Sequence, residues 1–208
     1  VPLFYQQDIN ETTRMGVWKI EESEAFFLSR VPLQRNITHP HKRLQHLAGR
    51  YLLPCLFANF PHHEIEIADT RKPFLPDEQY HFSISHCGDY AAALVSSTSR
   101  VGIDIEMITQ RVDKIKHKFL HPTELLFVNS YPLNRQMELL TLLWSAKEAM
   151  FKWWGQGEVD FSEAMRTGSF DLQTRGSFNG YFQKDDFRHD LLLNYELGGG
   201  LSLVWVYS

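Results

Sequence analysis

The chain has 208 residues, 43% of them hydrophobic and 22% charged, and a formal net charge of −4. That length allows one large domain or two small ones with a real core, and the composition is that of a soluble globular chain. The acidic balance argues against a general nucleic-acid binder, whose electrostatic footprint is basic, and the apolar runs, such as residues 91–95 and 203–206, are far too short to cross a bilayer. No basic segment followed by an apolar core opens the chain, so no signal peptide is expected. Cys55 and Cys87 fit neither a disulfide framework nor a CxxC knuckle; a reducing cytoplasm is the expected setting.

In chain order, residues 2–20 hold two extended segments, of which GVWKI is the better strand. Residues 21–30 read as a helix with an acidic start, and 31–40, with two prolines, as a loop. Residues 41–59 form the next helix. Leu44, Leu47, Ala48, Tyr51, Leu52 and Leu56 make its apolar stripe, and Pro54 should kink or break it. Arg43, His46 and Arg50 share another face, which is either a solvated surface or a cradle for phosphates. Residues 64–68 alternate as a strand, and the loop DTRKPFLP follows.

Residues 80–86 and 90–97 read as two strands of a hairpin turning at Cys87-Gly88-Asp89. Ser85 and His86 either satisfy turn amides or serve a site; without GxSxG or a triad order they do not make a hydrolase. Cys87, beside a histidine, is a tolerated turn residue or a reactive thiol. The ten histidines show no HExxH or similar spacing, and a zinc site is not expected.

The small, polar stretch SSTSR at 96–100 is the expected boundary between two halves, 1–100 and 101–208, each with a long helix and several strands. This reads as a pseudo-duplicated α+β architecture. VGIDIE, residues 101–106, alternates with period two. Val101, Ile103 and Ile105 face one way; Gly102, Asp104 and Glu106 face the other. Two residues of strand span about 7 Å, so one cation can bridge the two carboxylates, and Gly102 leaves that face open. Residues 139–155, LLTLLWSAKEAMFKWWG, form an apolar helix with one polar stripe of Thr141, Ser145, Glu148 and Lys152. Glu148 would complete an all-oxygen site suited to magnesium. Alternatively, Glu148 and Lys152 merely pair with each other. Between strand and helix, residues 110–118 are the most basic segment, with Arg111, Lys114, Lys116 and Lys118: a solvated surface or a dock for an acidic partner. A short helix then starts at His121 with Pro122 in its first turn. After 155 four strands are expected, the last two closing a hairpin around Gly198-Gly-Gly200.

VGIDIE followed by WSAKEAMFK resembles the signature of the 4'-phosphopantetheinyl transferases, of the larger surfactin-synthetase-activating type in its W-KEA variant. FSISHCGDYAAALVS and KRLQHLAGRYLL extend the resemblance into the first half. It implies two similar α+β lobes related by a pseudo-twofold axis, with the active site between them. It implies transfer of the phosphopantetheine arm of coenzyme A to a serine of an apo carrier protein, with magnesium and release of 3',5'-ADP. Asp104, Glu106 and Glu148 would hold the metal, and Glu148, Lys152 and Asp104 would be catalytic. Arg43, Arg50, Lys72, Ser85, His86 and Lys152 would contact the coenzyme. Lys147 would serve packing or coenzyme contact, and the basic run would receive the carrier protein. The family's Lys-Pro is Lys72-Pro73, but Arg71 stands where the family has glycine. A monomer that builds its whole site is expected, without nucleic acid or membrane partners. The alternatives are another magnesium-dependent phosphoryl or nucleotidyl transferase, against which the lack of a Walker-type loop counts, and a non-catalytic binder of coenzyme or carrier.

Overall fold

The computed structural model describes residues 3–33 and 36–208. It is an α+β protein built on two antiparallel sheets. The first takes β1 (Leu3–Asp8), β2 (Thr13–Lys19), β5 (His81–Cys87) and β6 (Tyr90–Ser96) in the order β1-β2-β6-β5. The second takes β7 (Val101–Met107), β8 (Met165–Thr167), β9 (Arg175–Lys184), β10 (Phe187–Gly198) and β11 (Leu201–Tyr207) in the order β7-β11-β10-β9-β8. A two-stranded ribbon joins β3 (Glu66–Ile67) to β4 (Pro73–Phe74).

Strand alternation sorts the apolar residues into three layers. Ala91, Ala93 and Val95 of β6 face helix α2 (Pro40–Leu56) and pack with Leu47, Leu52 and Leu56. Ala92 and Leu94 face the other way and meet Ile103 and Ile105 of β7 and Leu203 and Trp205 of β11. On the far side of the second sheet, Val204, Val206, Leu191 and Leu193 pack under helix α4 (Leu133–Trp154). The two sheets thus share a central apolar layer, and each carries one long helix on its outer face.

Helix α4 starts at Leu133, earlier than the apolar run alone predicts. The preceding LNRQME is helix-compatible, and the Arg135–Glu138 pair at 2.6 Å supports the first turns. It ends at Gly155, which takes the left-handed conformation (φ 69°) of a C-terminal cap. The polar stripe of this helix divides. Thr141 and Ser145 are fully buried, and the Thr141 hydroxyl donates back to the Met137 carbonyl; only Glu148 and Lys152 face polar groups of the sheets. Gly102 does not leave its face open. A Cβ there would collide with the Ala149 carbonyl oxygen and come within 2.8 Å of the Trp153 nitrogen, so α4 closes over that end of β7.

Other expectations contract. The helix expected over 21–30 is α1 (Glu24–Leu28), because Glu22 is drawn back to accept from the Trp18 indole at 3.0 Å. The strand expected over 64–68 keeps only two residues, after a 3-10 turn at His62–Glu64. Pro54 lies in the last turn of α2, which ends at Leu56. The basic run forms a 3-10 turn at Asp113–Lys118. It leads to α3 (Pro122–Asn129), which carries the expected proline and a capping box between His121 and Glu124. The glycine-flanked hairpin of β10 and β11 forms as expected.

Candidate active site

The site lies where β5 of the first sheet crosses β7 of the second, under the C-terminal half of α4. Ser83 and Ser85, on the face of β5 opposite Phe82 and Ile84, tie the strands together. The Ile103 amide donates to the Ser83 hydroxyl (3.1 Å), and the Ser85 hydroxyl donates to Asp104 Oδ1 (2.7 Å). From α4, Lys152 Nζ donates to the same Asp104 Oδ1 (2.7 Å), to Ser85 Oγ (2.9 Å) and to the Ile103 carbonyl (3.2 Å). Lys152 therefore pairs with Asp104 of β7 rather than with Glu148 along its own helix.

Asp104 is 3% exposed, and its second oxygen, Oδ2, is buried without a hydrogen-bond partner. Glu106 accepts from the Trp144 indole at 3.2 Å. Burial, then the charge of Asp104, push its carboxyl above the usual range, against the pull of Trp144 and Lys152. Glu148 is pushed furthest, to about 7, by burial first and then by Asp104, with Glu106 adding to the push and Lys152 opposing it. Three carboxylates thus stand in mutual electrostatic reach with one lysine among them. Among the described residues no three His, Cys, Asp or Glu side chains converge on one metal position, and Lys152 holds Asp104 Oδ1. The donor set nonetheless fits a hard divalent cation: it is all oxygen, it holds excess negative charge, and one buried carboxylate oxygen is unsatisfied.

The surrounding residues divide into two groups. His86 is exposed on β5 within electrostatic reach of Lys152 and of His41. Lys72 lies at the C-terminal end of α4, and its amine would touch a Cβ placed on Gly155. Lys72 and Lys152 line one cavity of about 240 Å³ with Ser83, Ile84 and Phe151. Burial, then the Arg100 charge, lower the Lys72 amine to about 8. Arg71 takes the left-handed conformation (φ 67°), so the non-glycine residue adopts a backbone that glycine tolerates best.

The two arginines of α2 engage other groups. Arg43 forms an ion pair with Glu24 at 2.8 Å and donates to the Ile37 carbonyl, and Arg50 is 5% exposed beside His62. Lys147 is fully buried, bonded to Glu124 (2.6 Å) and to the carbonyls of Phe119, Phe161 and Met165. It is a structural clamp, and its complete burial removes the expected alternative of coenzyme contact. Cys87 is buried, and burial, then Glu106 and Asp104, push its thiol up to about 12, which removes the reactive-thiol alternative.

Three contributing residues are not singled out by motif reading. Trp144 sits one turn before Glu148, so helical spacing alone would have placed it on the same stripe. Ser83 alternates with Ser85 and had the same signal. Arg100, at the polar boundary, had none.

The model of the 4'-phosphopantetheinyl transferase superfamily matches residues 100–202. The chain is 34% identical over 113 residues to 4'-phosphopantetheinyl transferase gsp of Aneurinibacillus migulanus, covering 53% of this chain and 46% of that protein. It is 32% identical over 114 residues to 4'-phosphopantetheinyl transferase AcpT of Escherichia coli (strain K12), covering 53% and 57%. It is 35% identical over 114 residues to enterobactin synthase component D of the same strain, covering 53% and 54%. The matches span about half the length of these curated relatives.

Proposed function

We propose, from the premise that residues 100–202 belong to the 4'-phosphopantetheinyl transferase superfamily, that this protein transfers the phosphopantetheine arm of coenzyme A to a serine of an apo carrier protein. The observation that carries this reading is the state of Asp104. One oxygen is held by Ser85 and Lys152 from two different elements, the other is buried and unsatisfied, and Glu148 beside it is pushed to about 7. Such a cluster is poised for a cation and an anionic substrate together.

In the proposed reaction the carrier serine oxygen attacks the phosphorus bearing the pantetheine arm. A phosphoester bond to the carrier forms, the bond to the second phosphate breaks, and 3',5'-ADP leaves with the electron pair. Glu148 takes the serine proton, directly or through a water. Lys152 exchanges Asp104 for diphosphate oxygens and offsets the charge growing on the leaving group. Ser85, His86 and Lys72 border the coenzyme. Arg43 would have to trade Glu24 for a phosphate, and Arg50 contributes as a buried charge. Asp104, Glu106 and Glu148 would hold magnesium, which supplies positive charge at the diphosphate when bound.

The finer architecture belongs to the same proposal. Residues 1–100 form a coenzyme-contacting lobe and residues 101–208 a metal-binding, catalytic lobe. They are related by a pseudo-twofold axis, with the active site between them. The pairing of one sheet and one long helix in each half supports this reading. The protein would act as a monomer in a reducing cytoplasm, with the basic run as the carrier dock. No helix among the described residues is long and apolar enough to cross a membrane.

Intact-protein mass spectrometry tests the reaction. Apo acyl and apo peptidyl carrier proteins, incubated with coenzyme A, magnesium and this protein, should each be examined for a mass gain of one phosphopantetheine arm. Chelation, Asp104→Asn and Glu148→Gln should each cut the rate by about 100-fold or more. Undiminished transfer by both variants would remove the assigned residues. Coenzyme binding without transfer to any carrier would favour the non-catalytic reading.

A further inference from the structure

Beside the Lys72 loop lies a second cavity, of about 210 Å³, which among the residues assigned to the proposed reaction is lined by Lys72 alone. Its walls come from four parts of the chain: Lys72 and Pro73 of the loop, His81 at the start of β5, Arg100 just before β7, and Trp153 and Trp154 at the end of α4. Arg100 is fixed in the backbone. Its amide and carbonyl exchange hydrogen bonds with Ser208 at 2.9 and 3.1 Å.

The charges in this cavity are unbalanced. Lys72 and Arg100 are close enough that the arginine disfavours the lysine's charge, and both do the same to His81. Glu78 is the one acid in the lining; it is exposed, and it favours protonation of His81. Among the described residues no side-chain hydrogen bond or ion pair engages the Lys72 amine or the Arg100 guanidinium. Lys72 is half-buried and Arg100 is exposed; other cations that are buried or half-buried are paired, Lys147 with Glu124, Lys152 with Asp104 and Arg43 with Glu24. Two like charges held together in a concave, partly apolar pocket repel each other, and an anion between them reverses the sign of that interaction. Arginine offers a planar fork to a tetrahedral oxyanion, and lysine a point charge. The volume falls below the roughly 300 Å³ at which pockets for drug-sized ligands begin, which suits a small group.

We propose that Lys72, Arg100 and His81 form a site for a phosphate dianion, separate from the carboxylate cluster of Asp104, Glu106 and Glu148. The phosphate is either free inorganic phosphate or the terminal monoester of a larger ligand. The two tryptophans in the wall make occupancy visible by fluorescence.

The test is a titration of the purified protein with inorganic phosphate at constant ionic strength, with chloride as the balancing salt, followed by tryptophan fluorescence and thermal unfolding. The expected result is a saturable change with phosphate that chloride does not reproduce. Arg100→Ala should weaken it at least tenfold while keeping the wild-type circular dichroism, and Lys152→Ala should leave it within twofold. A response lost in Lys152→Ala but kept in Arg100→Ala would place the ion in the first cavity and overturn the proposal. So would the absence of any saturable response. Competition arms identify the source. Displacement by coenzyme A but not by dephospho-coenzyme A would assign the site to a 3'-phosphate; displacement by neither would assign it to the free ion.

Discussion

Glu148 concentrates the tension of the site in one carboxyl group. Burial and two neighbouring carboxylates raise its proton affinity, so it binds its proton more tightly in the folded than in the unfolded chain. Ionising it therefore costs the folded state. That cost is absent below the unfolded value of 4.5, grows as pH rises, and is complete above about 7. Glu148→Gln should accordingly stabilise the chelator-treated protein at pH 8, by on the order of 2 kcal/mol, and change little at pH 4. Added magnesium should reverse the order, stabilising the wild type and not the variant. Thermal unfolding at the two pH values, with and without the metal, reads both effects. A variant that is no more stable than wild type at pH 8 in chelator would show that Glu148 is not held under charge strain. Arg71 illustrates a different residue-scale cost. It occupies a left-handed backbone, which disfavours a side chain by about 1–2 kcal/mol, and the turn persists because Ala68 and Lys72 close it at 2.9 Å.

At the scale of elements, the site depends on how closely α4 approaches β7. Gly102 permits that approach. Its missing side chain lets the backbone of the helix lie against the strand at Ala149 and Trp153, which sets where Glu148 and Lys152 meet Asp104. Gly102→Ala should force the two apart and cost about 3 kcal/mol of stability through overpacking against backbone that has little freedom to move. Denaturant unfolding measures this; a midpoint equal to that of the wild type would mean that the helix is not held at contact distance. Lys147 secures the opposite side of α4. Its amine gathers Glu124 and three carbonyls, from Phe119, Phe161 and Met165, into one buried junction. Adjacent residues of one helix thus meet opposite surroundings: Lys147 holds the helix from behind, and Glu148 faces Asp104, Glu106 and Lys152.

For the whole molecule, the distribution of charge matters more than its sum. A net charge of −4 hides a basic ridge at residues 111–118. Val112 is buried and Ile115 packs against the core, which turns Arg111, Lys114 and Lys118 outward. Arg111 also lies within electrostatic reach of Glu106, so the ridge borders the site. If an acidic carrier protein docks there, Lys114→Glu combined with Lys118→Glu should raise KM for the carrier about tenfold at low salt, leave kcat unchanged, and lose most of its effect at high salt. Steady-state kinetics at two ionic strengths would decide this. Equal KM values at low salt would move the dock elsewhere.

Local pattern and chemistry were enough to predict much of this protein. Period-two alternation put Asp104 and Glu106 on one face of a strand, helical spacing put Glu148 and Lys152 on one stripe, and glycines marked the closing hairpin. These features depend on neighbours in sequence, so they are legible without a fold. The extent of the weaker elements was not. Residues 21–30 and 64–68 carry the right local pattern, yet the helix keeps only Glu24–Leu28 and the strand only Glu66–Ile67. The tertiary structure alone decided which polar groups pair. The partner of Lys152 is Asp104 on another element and not Glu148 one turn away, and Arg43 is spent on Glu24. It also decided that Lys147 is sealed in the core, that the face beside Gly102 is filled by a helix, and that Lys72 and Arg100 line one pocket. The physical reason is common to all of these. Burial and pairing are set by contacts between segments distant in sequence, and the free energy of a charged group depends on those contacts more than on the residues beside it in the chain.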